Sequence, residues 1–141
     1  MNENTPARAG DDWLSRAVPA PEHAAHAASY CCDQYSPGDP GHADPKTLQW
    51  FSVPDYPIAR LNDAPGADWF REEQEIWADE GQPDRFDDML DRPIIVPIIV
   101  YDTPAGGWIW DGNHRVGACA TRGLASVPAL VGVRVAKEGG Q

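Results

Sequence analysis

The amino-acid sequence predicts an α+β fold, a mixed sheet with short helices, and three observations carry that prediction. Gly (13) and Pro (14) together make up 27 of 141 residues, punctuation too dense for a helical bundle or coiled coil. Apolar segments of strand type and of helix type alternate from residue 46 onward. The longest apolar run, Ile94 to Tyr101, is broken by Pro97 and is far shorter than the roughly 20 residues of a membrane-crossing helix. The length suits one domain, and 42% hydrophobic residues can furnish its core.

Residues 1–45 read as an acidic, Pro/Gly-rich extension, loosely ordered, with a short helix over 21–32 that opens on Pro21 and has an Ala-rich interior. The domain proper is expected over 46–136. Thr47 to Val53 has the aromatic and branched content of a strand, ended by Pro54. Asp68 to Glu80 reads as an amphipathic helix with Trp69, Phe70, Ile76 and Trp77 as its apolar stripe. Its carboxylates Glu72, Glu73, Glu75 and Asp79 form a solvated face, or supply a general base or Mg²⁺ partner if they face a site. Gly81 stops that helix, and Pro83 to Leu90 begins a second one with Phe86, Met89 and Leu90 inward. Ile94 to Tyr101 then reads as a strand buried on both faces. Thr103 to Gly107 is a turn, answered by the short strand Trp108 to Trp110. A helix follows from Asn113 to Arg122, with Gly123 as its stop, and Ser126 to Val135 closes the chain as a strand.

Charge narrows the function. The chain carries 22 acidic and 11 basic side chains, a formal net charge of -11. Residues 93–141, with three acids and four bases, are the only part able to receive an anion without strong repulsion. Direct nucleic-acid binding over the whole surface is disfavoured, because it needs clustered Lys and Arg. The first residues have neither a basic nor an apolar signal region, and three cysteines, two of them adjacent, make no disulfide framework. A cytoplasmic protein with no membrane association is expected. His23, His26, Cys31, Cys32 and His42 invite a zinc reading. Adjacent cysteines suit one tetrahedral metal poorly and the spacing fits no common module, so no structural metal is expected.

One junction carries chemistry: Asp111-Gly112-Asn113-His114-Arg115, where a strand ends, Gly112 turns the chain and a helix begins. The N–H groups of a helix start, the helix dipole, Arg115 and His114 together suit a phosphate. The plainer alternative stays open: Asp111 or Asn113 caps the helix, Arg115 pairs with a carboxylate of the acidic helix, and His114 packs in the core. Trp108 and Trp110 share a strand face and could stack a base beside the loop, although packing of the hairpin is the simpler role.

The strand, the Asp-Gly-Asn-His-Arg turn, the helix, Gly123 and the Ser126-Val127-Pro128-Ala129-Leu130-Val131 strand resemble the ParB/sulfiredoxin superfamily. The resemblance extends over about residues 47–135 and is specific over Pro93 to Val131. It implies a phosphate-binding turn formed by Asp111, Gly112, Asn113, His114 and Arg115, with His114 and Arg115 as catalytic groups if the protein is an enzyme. The expected ligand is a nucleotide or other phosphorylated small molecule, with ATP or CTP and Mg²⁺ as the implied cofactors. Phosphoryl transfer or nuclease-like phosphodiester hydrolysis would be the reaction. Asn113 stands where sulfiredoxins carry their nucleophilic Cys, which argues against sulfinic acid reduction. Asn113, His114 and Gly117 replace residues of the ParB pattern. The alternative is a non-catalytic acidic module on the same fold that binds a basic protein partner.

Overall fold

The computed structural model describes residues 11–23, 35–81 and 87–134. Five strands form one mixed sheet: β1 (Val18–Pro19), β2 (Leu48–Pro57), β3 (Ile98–Thr103), β4 (Gly106–Asp111) and β5 (Ser126–Arg134), in the spatial order β1-β2-β5-β3-β4. The β5–β3 pair is parallel and the other three are antiparallel. The helices are α1 (Ala67–Asp79), α2 (Asp87–Asp91) and α3 (Asn113–Arg122). The expected mixed α and β order from residue 46 onward is therefore present.

Each face of the sheet has its own core. On one face Val53, Ile98, Val100, Ile109, Val127, Ala129 and Val131 meet Val116 and Cys119 of α3. On the other, Leu48, Trp50, Ile99, Tyr101 and Trp110 are covered by Ala43 and Tyr35. Strand alternation divides β3 between the two cores, which explains its uninterrupted apolar sequence. Helix α1 lies outside α3, with Phe70 against Ala118. Gly117 makes this approach close: a Cβ there would sit 3.0 Å from Phe70 Cδ1.

Three strand boundaries and one helix face differ from expectation, each for a physical reason. Strand β2 continues through Pro54 to Pro57, because a register shift between Val53 and Tyr56 absorbs the proline. That bulge also turns Tyr56 onto the same face as Val53, where strict alternation would have opposed them. Strand β3 starts only at Ile98, and Ile95 is 79% exposed, because Pro97 lacks the N–H that would carry the ladder backward. Strand β4 begins at Gly106, two residues earlier than expected, since the turn itself needs only Pro104 and Ala105. In α1 Ile76 is half exposed. Six residues place it about 120° around the helix from Phe70, beyond the face that α3 covers.

Residues assigned to the extension contribute to both cores. Trp13 is 4% exposed and packs on Tyr56 with ring centroids 5.4 Å apart. Trp110 Nε1 donates to the Gly41 carbonyl at 2.8 Å, and β1 pairs with β2 through Val18 and Pro19. Of the expected helix over 21–32, Pro21–His23 forms a single 3-10 turn and the remainder lies outside the described residues. Phe86 and the zinc candidates His26, Cys31 and Cys32 also lie outside them.

The loop after β2 closes the outermost strand. Asn62 N–H donates to Gly107 O at 2.8 Å, and Ile109 N–H donates to both carboxylate oxygens of Asp63 at 3.1 Å. Tyr35 donates its hydroxyl to the same carboxylate, which joins the second-face cover to the loop. Behind this loop Arg60, Asp102 and Tyr56 form a buried polar cluster. Among the described residues no helix is long and apolar enough to cross a membrane.

Candidate functional site

Strand β4 delivers Asp111 as its last residue, and Gly112 turns the chain into α3 at φ 115° and ψ 23°. This left-handed conformation suits glycine, and a Cβ at this position would overlap the Ile98 side chain. Gly112 is the N-cap of α3, and no side chain caps the helix there. The N-cap position considered for Asp111 or Asn113 is thus held by Gly112. The first helical turn thus presents N–H groups that have no partner within the helix, at the positive end of its dipole.

Asp111, Gly112, Asn113, His114 and Arg115 all line one cavity of about 760 Å³. Its opposite wall is Trp69 of α1, Met89 of α2 and the segment Arg92 to Val96. The lining is predominantly apolar, and its charged side chains are Arg92, Arg115 and Asp111, with His114 as the titratable neighbour. In a chain of net charge -11, this cavity has an excess of one positive charge. Arg122, from the last turn of α3, braces the opposite wall: its Nη1 donates to Met89 O at 3.0 Å and Arg92 O at 2.8 Å.

The two cationic candidates are held differently. Arg115 Nη2 donates to Asp111 Oδ2 at 3.0 Å, and Nη1 donates to Val96 O at 3.3 Å. A guanidinium has five N–H donors, so these two bonds orient the group without exhausting it. His114, in the first turn of α3, packs against α1, stacked on Trp69 with ring centroids 5.1 Å apart and planes at 27°. Its Nε2 is 2.9 Å from Glu73 Oε1. A carboxylate only accepts hydrogen bonds, so Nε2–H is the donor. The residue that pairs with the acidic helix is therefore His114, whereas Arg115 pairs with Asp111.

Glu73 is the carboxylate of α1 that pairs with His114; Glu72, Glu75 and Asp79 are exposed. Trp69 and Glu73 are four residues apart and so share one face of α1. That spacing was the available signal for joining Glu73 to the site. Trp110 lines the cavity yet is only 1% exposed, packed among Trp50 and Tyr101 on the other side of the sheet. Trp108 packs edge-on against Tyr35, 5.9 Å between ring centroids. The paired wall of tryptophans considered from sequence is thus mainly core, and Trp69 is the aromatic side chain beside His114. Cys119 is buried on the sheet-facing side of α3, and its thiol is pushed up by that burial, with Arg122 partly opposing.

Sequence reasoning missed the Arg60–Asp102–Tyr56 cluster, which lies outside the cavity lining. Burial, the adjacent Asp102 charge and the hydrogen bond to it raise the Tyr56 phenol, and Arg60 partly offsets them. Among the described residues, no three or more His, Cys, Asp or Glu side chains gather as a metal site. No protein-family model matches the chain, and no curated protein matches it.

Proposed function

We propose that the protein binds a nucleotide or another phosphorylated small molecule in the cavity at Asp111–Arg115, on a ParB/sulfiredoxin-like fold. One observation carries this reading: the glycine-capped start of α3, Arg115 and Arg92 all border the same 760 Å³ apolar-walled cavity. A phosphate meets the N–H groups and guanidinium at one end. The apolar wall suits the less polar remainder of the ligand, a division of labour common to small-molecule sites. Catalysis at this site would be phosphoryl transfer or phosphodiester hydrolysis, with Arg115 stabilising developing negative charge.

Mg²⁺ fits this site only in company with a ligand. The carboxylate of the cavity lining is Asp111, and Glu73 touches the site only through His114; each is engaged by a cationic or imidazole partner. Magnesium is commonly held by one or two carboxylates together with substrate phosphates, and it would supply charge neutralisation there.

The test is thermal unfolding with ATP, ADP, CTP and GTP, with and without Mg²⁺, on wild type and Arg115→Ala. A ligand at about a hundred times its dissociation constant adds roughly 2.7 kcal/mol. A rise in melting temperature for wild type that disappears in Arg115→Ala supports the reading; no rise with any nucleotide removes it. A second reading has its own observation: Glu72, Glu75, Asp79 and Glu80 are exposed along α1 beside half-exposed Ile76. Salt-sensitive capture of a basic protein, with no response to nucleotides, would favour a non-catalytic interaction module.

A further inference from the structure

We propose that the cavity takes a phosphate monoester of an apolar alcohol, such as a single-chain alkyl or prenyl phosphate. Nucleotides then bind there through their phosphate alone, more weakly and without choice of base. This deepens the reading above and rests on it, because the phosphate end of the ligand is the same. The polar and apolar residues of the cavity are segregated. Asp111, Asn113, His114 and Arg115 stand on the side of the turn. The opposite wall is Trp69, Met89, Pro93, Ile94, Ile95 and Val96, with Arg92 as its one charged residue. None of these seven is an alcohol, an amide or a carboxylate. Ribose hydroxyls and base edges buried against such a wall lose water without gaining side-chain partners, a cost that a hydrocarbon chain does not carry.

The backbone of the wall is partly engaged as well. Pro93 has no N–H, Arg92 O accepts from Arg122 Nη1 at 2.8 Å, and Val96 O accepts from Arg115 Nη1 at 3.3 Å. These two bonds also hold the segment in place before a ligand arrives, which lowers the entropy lost on binding. Ile95 is 79% exposed and Val96 59% exposed, so apolar area stands in water for a ligand to cover. One face of Trp69 is stacked on His114, which limits its use as a platform for a base. The charges are complementary: a phosphate monoester carries about −1.5 to −2 near neutral pH, on the scale of the two guanidinium groups of the lining, Arg92 and Arg115. A triphosphate brings more charge and depends on Mg²⁺ to offset it. A net charge of -11 sets the chain against the anionic surface of a membrane, so the ligand is taken from solution as a single molecule.

The test is calorimetric titration of the full-length protein, without Mg²⁺. The ligands are inorganic phosphate, then ethyl, butyl, hexyl and octyl phosphate below their micelle concentrations, and AMP, CMP and GMP. Affinity should rise by about fourfold for each methylene buried, and hexyl phosphate should bind more tightly than any of the nucleotides. The three nucleotides should lie within about tenfold of one another, against the roughly ten-thousandfold rejection that a hydrogen-bonded pocket gives. Ile95→Ser and Val96→Ser, at exposed positions where substitution disturbs the fold little, should weaken octyl phosphate more than ethyl phosphate. Three results overturn the proposal and leave the phosphate site standing: nucleotides that bind while affinity is flat along the alkyl series, a strong preference for one base, or an unchanged octyl-to-ethyl ratio in both variants. Hexyltrimethylammonium binding as tightly as hexyl phosphate, or no phosphate compound binding at all, removes the phosphate-site reading and this proposal with it. Binding to phosphatidylcholine vesicles that contain phosphatidic acid, without binding of the soluble alkyl phosphates, overturns it in favour of a membrane surface.

Discussion

Arg60 Nε lies 2.8 Å from Asp102 Oδ1, with both side chains less than a tenth exposed. The pair is completed by Arg60 Nη2 donating to Asp102 Oδ2 at 3.1 Å and to Thr103 O at 2.7 Å, and by the Tyr56 hydroxyl donating to Asp102 at 2.6 Å. It pins the loop after β2 to the end of β3. Removing one partner strands the other charge in a site from which water is excluded, a loss of about 3–5 kcal/mol. Arg60→Ala should therefore lower unfolding stability by that amount in urea titration. Tyr56→Phe should cost less, about 1–3 kcal/mol, because it removes one hydrogen bond to a charged group. A surface-like value for Arg60→Ala would show that the pair is hydrated.

The packing of Trp13 sets a second expectation. Large-to-small substitution of a buried aromatic costs about 3–5 kcal/mol, so Trp13→Ala should destabilise the whole domain. Removal of residues 1–45 should go further, because it strips Trp13 from one face of the sheet and Ala43 and Tyr35 from the other. The shortened chain is expected to lose cooperative thermal unfolding. A sharp transition near the wild-type temperature would separate this segment from the domain.

Gly112→Ala tests the turn into α3. A residue with a Cβ held at φ 115° stores strain of about 1–3 kcal/mol, and the overlap with Ile98 adds to it. The variant should melt at lower temperature and lose any nucleotide-induced rise, because the first N–H groups of α3 shift with the turn. Retention of both properties would show that the turn tolerates a non-glycine conformation.

Asp63 gives a pH dependence with a defined sign. Burial raises its carboxyl above the ordinary carboxylate value, while hydrogen bonds from Tyr35 and from the Ile109 N–H oppose the rise. The folded protein therefore binds this proton more readily than the unfolded chain does. The contribution is fully present below the unfolded value and declines as pH climbs through the folded one. Asp63→Asn should remove that decline: the stability difference between wild type and variant, followed by denaturant titration across the mildly acidic range, should slope against wild type as pH rises. A flat difference would show that the hydrogen bonds balance the burial.

Much of the sheet was legible because the strand residues obey local rules. Ile98 to Tyr101 are apolar without a break since each face meets its own core, and Gly123 stops α3 at φ 72° as its position suggested. The bulge at Pro54 was not legible: a proline reads locally as an end, and only the pairing of β2 with β5 shows that the ladder resumes at Tyr56. At the site, the turn Asp111 to Arg115 was marked by its own residues. Its partners were not, because the contact of His114 with Glu73 joins positions 41 residues apart and depends on how α1 crosses α3. The use of Trp13 and Tyr35 was hidden for a similar reason, since frequent prolines mark irregular backbone but do not exclude burial of the side chains between them.

Asp63 and Asn62 have a consequence beyond the stability of their loop. The free side of a terminal strand is a template on which a second molecule can add its own strand. Here the Gly107 carbonyl and the Ile109 N–H are already engaged by Asn62 and Asp63. At the far end of the sheet, β1 is only two residues long and one of them is Pro19, which has no N–H to offer. Both ends are thus blunted against intermolecular strand addition, so this sheet resists growing into filaments or aggregates at high concentration.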